Sequence, residues 1–243
     1  MTRLRFAVMP VTLAALSLAC AALAAEDKAE KAAAVFLTED QYDPARLLPP
    51  PPEDGTPPAV AEVMELRRIQ EERSAARLEK ARTDDKTENA TIFAVVLGPK
   101  FDLKALPATD KLMSEVRKDE KAAATRGKNF FQRTRPYLID GALEPCAKND
   151  APKSSYPSGH ATMAYSMAVV LADLVPEKAQ GLMSRASDYS ESRLVCGAHF
   201  RRDIVAGEAL GTTVGRELLA NPKFQVDLEA ARAELKTAGV IGQ

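Results

Sequence analysis

The chain has 243 residues, a formal net charge of −1 at pH 7, and a hydrophobic fraction of 46%. This length and apolar content suit one domain with a substantial core, and the near-zero charge gives no reason to expect a nucleic-acid-binding surface or attraction to anionic membranes. Aromatic residues make up only 5% of the chain and Trp is absent, which favours helices over a sheet built from aromatic and β-branched residues.

The first 24 residues have the pattern of a secretory signal peptide. Two arginines without an accompanying acid precede an apolar run over residues 7–23, and Ala22-Leu23-Ala24 is a small-x-small cleavage site. We predict cleavage after Ala24, a periplasmic mature protein, and no membrane attachment after cleavage. An uncleaved anchor helix is the alternative, and it is weaker because Pro10 interrupts the apolar run.

Export changes what the cysteines can do. If residues 1–24 are removed, Cys20 leaves with them and the mature chain keeps Cys146 and Cys196. In an oxidising compartment such a pair favours a disulfide over two free thiols, and neither cysteine has a spacing typical of a metal site. We predict a Cys146–Cys196 bridge, which would close a loop of about 50 residues and stabilise the fold by about 4 kcal/mol.

Two regions follow the predicted signal peptide. Residues 25–55 are charged at first and include a proline run, Pro49 to Pro52, which predicts an extended, polyproline-like connector. Residues 56–243 show helical spacing of apolar residues and no convincing strand alternation, so we predict a single all-α domain, a helical bundle. The predicted helices span about residues 56–82, 89–97, 107–126, 159–175, 176–194 and 199–219, with a shorter helix in the tail.

Three segments between residues 128 and 203 carry the residue types that phosphoryl transfer needs. Such a reaction requires cations and N–H donors for the phosphoryl oxygens, an in-line nucleophile, and an acid for the leaving oxygen. Arg135 and Arg193 offer planar guanidinium forks, and Lys128 adds a point charge. Lys128 and Arg135 are seven residues apart, about two turns, so one helix carrying both would point them the same way. A single Lys or Arg is more often a solvated surface charge. These three cations therefore indicate a phosphate site only together with their neighbouring residues.

The second segment contains one of the only two histidines in the chain. Ser158-Gly159-His160 stands at the predicted start of a helix, where free N–H groups and the positive end of the helix dipole favour an anion. Gly159 lets the backbone approach that anion closely, and Ser158 adds a hydroxyl. An ordinary turn with a serine N-cap has the same pattern, so this segment by itself does not identify a site.

The third segment contains the other histidine. His199 and Asp203 are four residues apart at the predicted start of a helix, so their side chains share a face. The carboxylate of Asp203 could hold one imidazole nitrogen as N–H and leave the other free to attack phosphorus. A helix-surface His–Asp pair without function is also common.

Taken together, the three segments resemble one known family. Lys128-x6-Arg135-Pro136, Pro157-Ser158-Gly159-His160 and Ser192-Arg193-x5-His199-x3-Asp203 are similar in order, spacing and identity to the signature of the type 2 phosphatidic acid phosphatase (PAP2) superfamily. This superfamily includes bacterial non-specific acid phosphatases and vanadium haloperoxidases. The flanking residues are most similar to secreted class A acid phosphatases.

The resemblance implies a helical bundle of the PAP2 type and a set of roles. His199 would form a phosphohistidine, Asp203 would orient it, and His160 would protonate the leaving alcohol and later activate water. The implied substrates are small phosphomonoesters over a broad range, no metal or cofactor is implied, and a homo-oligomer is common in the class. The implied ligands of the phosphoryl oxygens are Lys128, Arg135, Ser158, Gly159 and Arg193.

Two positions depart from the usual pattern of the family. Ser155 stands where glycine is common, and Ala161 stands where threonine is common; neither change removes a catalytic atom.

Two other functions remain as alternatives. One alternative is a vanadate-dependent haloperoxidase, which the short chain and the class A flanks disfavour. The other is a non-catalytic periplasmic phosphate-binding helical protein, which would need the cations but no histidine placed for attack.

Overall fold

The architecture was taken from a computed structural model that describes residues 34–148 and 151–242. Every regular element in these residues is helical, as the sequence predicts, and the predicted signal peptide over residues 1–24 lies outside them. Seven helices in the described part have twelve or more residues. They are α1 (Pro57–Glu72), α2 (Ala75–Lys86), α3 (Pro107–Phe131), α4 (Gly159–Leu174), α5 (Ala179–Val195), α6 (Arg201–Ala220) and α7 (Pro222–Thr237).

Short helical turns connect the long helices. Single α-turns span Pro44–Leu47, Ala94–Leu97 and Pro136–Ile139, and 3₁₀ turns span Glu39–Gln41, Ala90–Phe93, Leu103–Ala105 and Pro176–Lys178. None of the helices in the described residues is long and apolar enough to cross a membrane.

The helix α4 lies at the centre of the bundle. Its run from Ala161 to Leu174 is almost entirely apolar, and ten of its residues are buried, because α3, α5 and α6 pack around it. Ser158 caps its N-terminus by accepting a hydrogen bond from the Ala161 N–H at 3.4 Å. The buried surface of α4 therefore fixes where its first turn, with Gly159 and His160, comes to lie.

A row of glycines brings α6 against α4. Gly207, Gly211 and Gly215 recur at every fourth residue of α6, and a side chain on any of them would collide with α4 or the residue before it. A Cβ on Gly207, for example, would lie 2.6 Å from the carbonyl oxygen of Ser158. Because the two backbones can approach this closely, the N-termini of α4 and α6 lie side by side.

Two local predictions differ from the structure. The helix predicted over residues 56–82 is two helices, because the chain turns at Arg73 and Ser74 caps α2 by accepting from the Arg77 N–H at 3.1 Å. The helix that carries Lys128 ends at Phe131, where Gln132 takes a left-handed conformation with φ of 50°. Arg135 therefore lies beyond that helix and reaches the site by a separate turn.

The segment before the predicted domain packs on the same core. The Asp119 carboxylate on α3 accepts hydrogen bonds from the N–H groups of Val35, Phe36 and Leu37, at 2.9 to 3.1 Å. The proline run is held to the bundle where the Tyr156 hydroxyl donates to the Pro49 carbonyl at 2.6 Å. Residues 34–48 thus contribute buried side chains to the fold: Leu37, Tyr42 and Leu48.

The predicted disulfide is present. Cys146 and Cys196 are bonded across 50 residues, and the Cys146 N–H also donates to the Cys196 carbonyl at 3.1 Å. The bridge joins the loop after Arg135 to the end of α5, three residues before His199. It therefore ties two of the three motif segments together at one end of the bundle.

Candidate active site

Several helix ends meet around one polar cavity of about 360 Å³. Lys128 comes from the last turn of α3, Arg193 from the last turn of α5, and His199 from the residues just before α6. Ser158 and Asp203 lie behind the cavity wall with no exposed surface. The remaining predicted site residues line the cavity: Lys128, Arg135, Gly159, His160, Arg193 and His199.

The start of α4 is hydrogen-bonded to the start of α6 and lies close to Lys128. The Ser158 N–H donates to the Asp203 carbonyl at 2.9 Å, which links the two N-termini directly. A Cβ on Gly159 would lie 3.1 Å from the Lys128 ammonium nitrogen. The absence of a side chain at Gly159 therefore lets this ammonium sit over the first turn of α4, where N–H groups point out of the helix.

Three of the cationic groups that line the cavity are predicted site residues: Lys128, Arg135 and Arg193. Burial and the nearby Arg135 lower the pKa of Lys128 to about 8, so its ammonium is charged at acidic and neutral pH. Burial, with Arg193 adding to it, lowers the pKa of Arg135 to about 10. Arg193 forms an ion pair with Asp85, while its Nε–H has no hydrogen-bond partner among the described residues. A buried, unpartnered donor of this kind suits an incoming phosphoryl oxygen.

His199 is held in one tautomer. Its Nδ1 lies 2.7 Å from the Ser155 carbonyl oxygen, which can only accept, so Nδ1 carries the proton. Its Nε2 lies 2.9 Å from an Arg135 guanidinium nitrogen, which can only donate, so Nε2 presents a lone pair. Burial, followed by Arg135, Arg193 and Lys128, lowers the pKa of His199 well below its usual 6.5. The ring is therefore neutral and nucleophilic at Nε2.

Asp203 contacts this ring less directly than the sequence predicts. One carboxylate oxygen accepts from the Ser155 hydroxyl at 2.6 Å and from the Phe200 N–H at 2.8 Å. The other accepts from Arg133 at 2.6 Å. The distance from His199 Nδ1 to Asp203 is 3.5 Å, too long for a good hydrogen bond. The Ser155 carbonyl takes the Nδ1 proton instead, and Asp203 holds Ser155.

His160 lies on the other side of the cavity. Its ring stacks on Tyr189 with centroids 5.8 Å apart, and its Nε2 donates to the Asp85 carbonyl at 3.2 Å. The Glu88 carboxylate is 3.6 Å from the same nitrogen. Burial and then Arg193 lower the pKa of His160 well below 6.5, opposed by its hydrogen bond to Asp85. A bound phosphate ester would add negative charge and raise this pKa.

Further charged residues around the site were not among the predicted site residues. On α3, Arg117 pairs with Glu88 and with the buried Glu120, whose pKa burial raises to about 7. Arg133 is buried next to Asp203. The sequence contains many Glu and Arg residues, and their spacing does not distinguish the charges that are buried at the site from those that are solvated. In the described residues no group of three or more His, Cys, Asp or Glu is arranged to hold a metal ion.

The chain is similar in sequence to known proteins. The profile of the PAP2 superfamily matches residues 121–225, a range that contains every predicted site residue. The chain is 30% identical over 203 residues to an acid phosphatase of Zymomonas mobilis, covering 81% of this chain and 76% of the relative. It is 30% identical over 200 residues to a non-specific acid phosphatase of Providencia stuartii (79% and 80%). A non-specific acid phosphatase of Salmonella typhi is 36% identical over 157 residues (63% of each).

Proposed function

The chain belongs to the acid phosphatases of the PAP2 superfamily, and from that premise we propose that it hydrolyses small phosphomonoesters through a phosphohistidine at His199. The observation that carries this proposal is the tautomer of His199. The Ser155 carbonyl accepts the Nδ1 proton, so the Nε2 lone pair faces the cavity among the cations. A phosphate-binding protein without turnover would have no need of a neutral imidazole turned toward its ligand.

In the first half-reaction the Nε2 lone pair attacks phosphorus. A P–N bond forms as the bond from phosphorus to the leaving oxygen breaks. The phosphoryl oxygens lie against Lys128, Arg135 and the unpartnered Nε–H of Arg193. The N-terminus of α4 at Gly159 adds backbone donors and the positive end of a helix dipole, while Ser158, whose own N–H is taken by the Asp203 carbonyl, caps this helix from behind the cavity wall. These charges are in place before the substrate arrives. Arg135, which donates to the Nε2 lone pair at 2.9 Å, must turn onto a phosphoryl oxygen so that Nε2 is free to attack.

His160 supplies and recovers the proton. As a protonated imidazole it gives its proton to the leaving alcohol oxygen in the first step. As a neutral imidazole it then takes a proton from water, the water oxygen attacks phosphorus, and the P–N bond to His199 breaks to release inorganic phosphate. His160 lines the cavity with a side chain that is 14% exposed, next to the partly exposed Glu88, which supports an exchange of protons with solvent.

The cations of the cavity also support two proposals, on metal independence and on pH. The three cations supply the positive charge that a metal ion provides in other phosphatases, so we propose that the enzyme is metal-independent. Lys128, with a pKa of about 8, keeps its charge in acid and loses it at alkaline pH. We therefore expect a bell-shaped activity profile centred on the acidic to neutral side, and activity that survives EDTA.

We also propose that the enzyme is exported and cleaved after Ala24. The basic and apolar pattern of residues 1–24 supports export, as does a disulfide between Cys146 and Cys196, since such bonds persist in oxidising compartments. Mass spectrometry of a periplasmic fraction would then find a mature N-terminus at Ala25. A chain recovered with residues 1–24 intact would contradict this part of the proposal.

The proposed function is tested by replacing the nucleophile. The His199→Ala variant should lose at least about a thousandfold in kcat for p-nitrophenyl phosphate, because no phosphoenzyme can form. Rapid acid-free quenching with a ³²P-labelled substrate should label the unmodified enzyme at His199 and leave the variant unlabelled. If the variant binds inorganic phosphate and also turns over substrate at the original rate, the proposed mechanism is wrong. Phosphate binding by an unmodified chain without any turnover would favour a binding protein.

A further inference from the structure

Arg133 is a buried arginine between Lys128 and Arg135, at a position that the first motif segment leaves unspecified. Its side chain is 2% exposed, and its guanidinium lies between two carboxylates. One guanidinium nitrogen donates to Asp203 at 2.6 Å and another donates to Glu62 on α1 at 2.7 Å. The guanidinium carbon also lies 4.1 Å from the centre of the Phe200 ring, which packs against its face.

We propose that Arg133, held in place by Glu62, is a positioning residue for the His199 nucleophile. This inference rests on the proposed function, because it concerns how the attacking nitrogen is aimed. Neither Arg133 nor Glu62 lines the cavity, so neither touches the substrate. Their effect on the reaction must pass through Asp203 and Ser155 to the imidazole ring.

A continuous chain of hydrogen bonds connects Arg133 to the imidazole. Arg133 holds one oxygen of Asp203, and the other oxygen accepts from the Ser155 hydroxyl at 2.6 Å. The Arg133 carbonyl also accepts from the Ser155 N–H at 3.1 Å. Ser155 is thus fixed at its backbone and at its side chain, and its own carbonyl accepts the Nδ1 proton of His199 at 2.7 Å. The direction of that carbonyl sets both the tautomer and the aim of Nε2.

Glu62 anchors this chain to the helix that follows His199. One of its carboxylate oxygens accepts from Arg133, and the other accepts from the Arg202 N–H in the first turn of α6 at 2.9 Å. Glu62 is only 5% exposed, although it belongs to a helix whose other charges are mostly solvated. A buried carboxylate that bridges a guanidinium and a helix N-terminus restricts how far Arg133 can move.

The charge of Arg133 also lowers the pKa of Asp203, against the effect of burial. Burial raises the pKa of Asp203, and Arg133 is the strongest influence that opposes this rise. Without Arg133 the pKa of Asp203 would rise further, and a protonated Asp203 would hold Ser155 less firmly, so the acidic limb of the kcat profile should move to higher pH. The charged or titratable groups that face Asp203, directly or through Arg133, are Arg133, Arg135, Tyr156, His199 and Glu62.

The test compares three variants of the full chain, Arg133→Met, Arg133→Lys and Glu62→Gln. Arg133→Met should lower kcat about a hundredfold, as expected when a reacting group is misplaced by about 1 Å. It should leave KM and inhibition by inorganic phosphate within about twofold, because the phosphate-binding groups remain. Its acidic limb should move to higher pH. Arg133→Lys should restore part of the kcat and most of the acidic limb, since it keeps the charge, and Glu62→Gln should give a smaller loss in kcat.

A control variant separates an effect on the position of the nucleophile from an effect on the stability of the fold. Arg232 on α7 also joins two helices through a carboxylate, donating to Asp173 at 2.7 Å at the far end of α4. Arg232→Met should lower the melting temperature slightly and leave kcat and the pH profile unchanged. If Arg133→Met behaves the same way, Arg133 is only structural and the inference is wrong.

Two further outcomes are distinguishable. A rise in KM and in the phosphate inhibition constant as large as the fall in kcat would place Arg133 in phosphate binding, which overturns the inference. If Arg133→Met does not fold, Arg133→Lys and Glu62→Gln decide by the same readouts. The proposed function fails instead if His199→Ala still turns over. When His199→Ala is inactive but all three variants keep normal kcat and pH profiles, only the present inference fails.

Discussion

The two histidines of the cavity are held in similar ways but in different surroundings. Each imidazole gives one N–H to a backbone carbonyl, His199 to Ser155 and His160 to Asp85. His199 is 2% exposed and its other ring nitrogen meets a guanidinium. The side chain of His160 is 14% exposed, stacks on Tyr189, and has the partly exposed Glu88 beside it.

This difference separates the two proposed roles. A nucleophile must stay neutral and aimed, and the cations and buried hydrogen bonds around His199 serve both needs. An acid must gain and lose protons during each turnover, and His160 lies where water and a carboxylate can reach it. The two sides of the cavity should therefore respond differently to substitution, and four experiments test this from the largest expected effect to the smallest.

Replacing His160 by Ala should have the largest effect, and its size should depend on the leaving group. For alkyl phosphates the rate of the first turnover should fall about a thousandfold, because the alkoxide would leave without a proton. For p-nitrophenyl phosphate the fall should be much smaller, since p-nitrophenolate is a good leaving group. Rapid-quench measurements of phosphoenzyme formation compare the two. Equal losses would mean that His160 does not protonate the leaving oxygen.

Loss of the disulfide should loosen the residues around His199 rather than those around His160. Cys196 leads directly into the residues before the nucleophile, whereas His160 has no covalent tie to the bridge. The Cys146→Ser/Cys196→Ser double variant should lower the free energy of unfolding by about 4 kcal/mol, measured by circular dichroism in urea. A Cys20→Ser variant serves as control, because that cysteine leaves with the predicted signal peptide. Unchanged stability of the double variant would contradict a bridge in the mature protein.

Gly159→Ala should weaken the binding of phosphate without favouring the role of either histidine. The new Cβ would lie 3.1 Å from the Lys128 ammonium nitrogen, so this cation would have to move. We expect KM and the inhibition constant of inorganic phosphate to rise about tenfold, the worth of one charge-assisted hydrogen bond. Gly141→Ala is the control, because its Cβ would meet nothing within 4 Å. Equal behaviour of the two variants would show that Lys128 does not depend on Gly159.

Glu88→Gln should give the smallest effect, confined to the alkaline limb. The carboxylate lies 3.6 Å from His160 and stabilises its protonated form, so removing the negative charge lowers the pKa of His160. The acid is then lost at lower pH, and the alkaline limb of kcat moves down. Because the Glu88 side chain is 46% exposed, solvent screens it and we expect a shift of a few tenths of a pH unit. A shift to higher pH would contradict this arrangement.

The helices were largely predictable, and their interruptions were not. Apolar spacing locates α3 to α6 because each buries one face against a neighbour. The turn at Arg73 that separates α1 from α2 carries no proline or glycine; Ser74 becomes a cap because of how the helices pack. The end of α3 at Phe131 is similar, since Gln132 takes its left-handed conformation without being glycine.

The sequence by itself determined the helical class, the cysteine pair and the motif residues that line one cavity. Those groups must lie at fixed intervals along helix ends to share one cavity, and such intervals are visible in the chain. Only the tertiary structure decided that the Ser155 carbonyl, rather than Asp203, holds His199, and that Arg133 and Glu62 stand behind Asp203. The physical reason is that these contacts join residues 44 to 71 positions apart in the sequence. Whether a charged side chain is solvated or buried depends on packing, which no local pattern records.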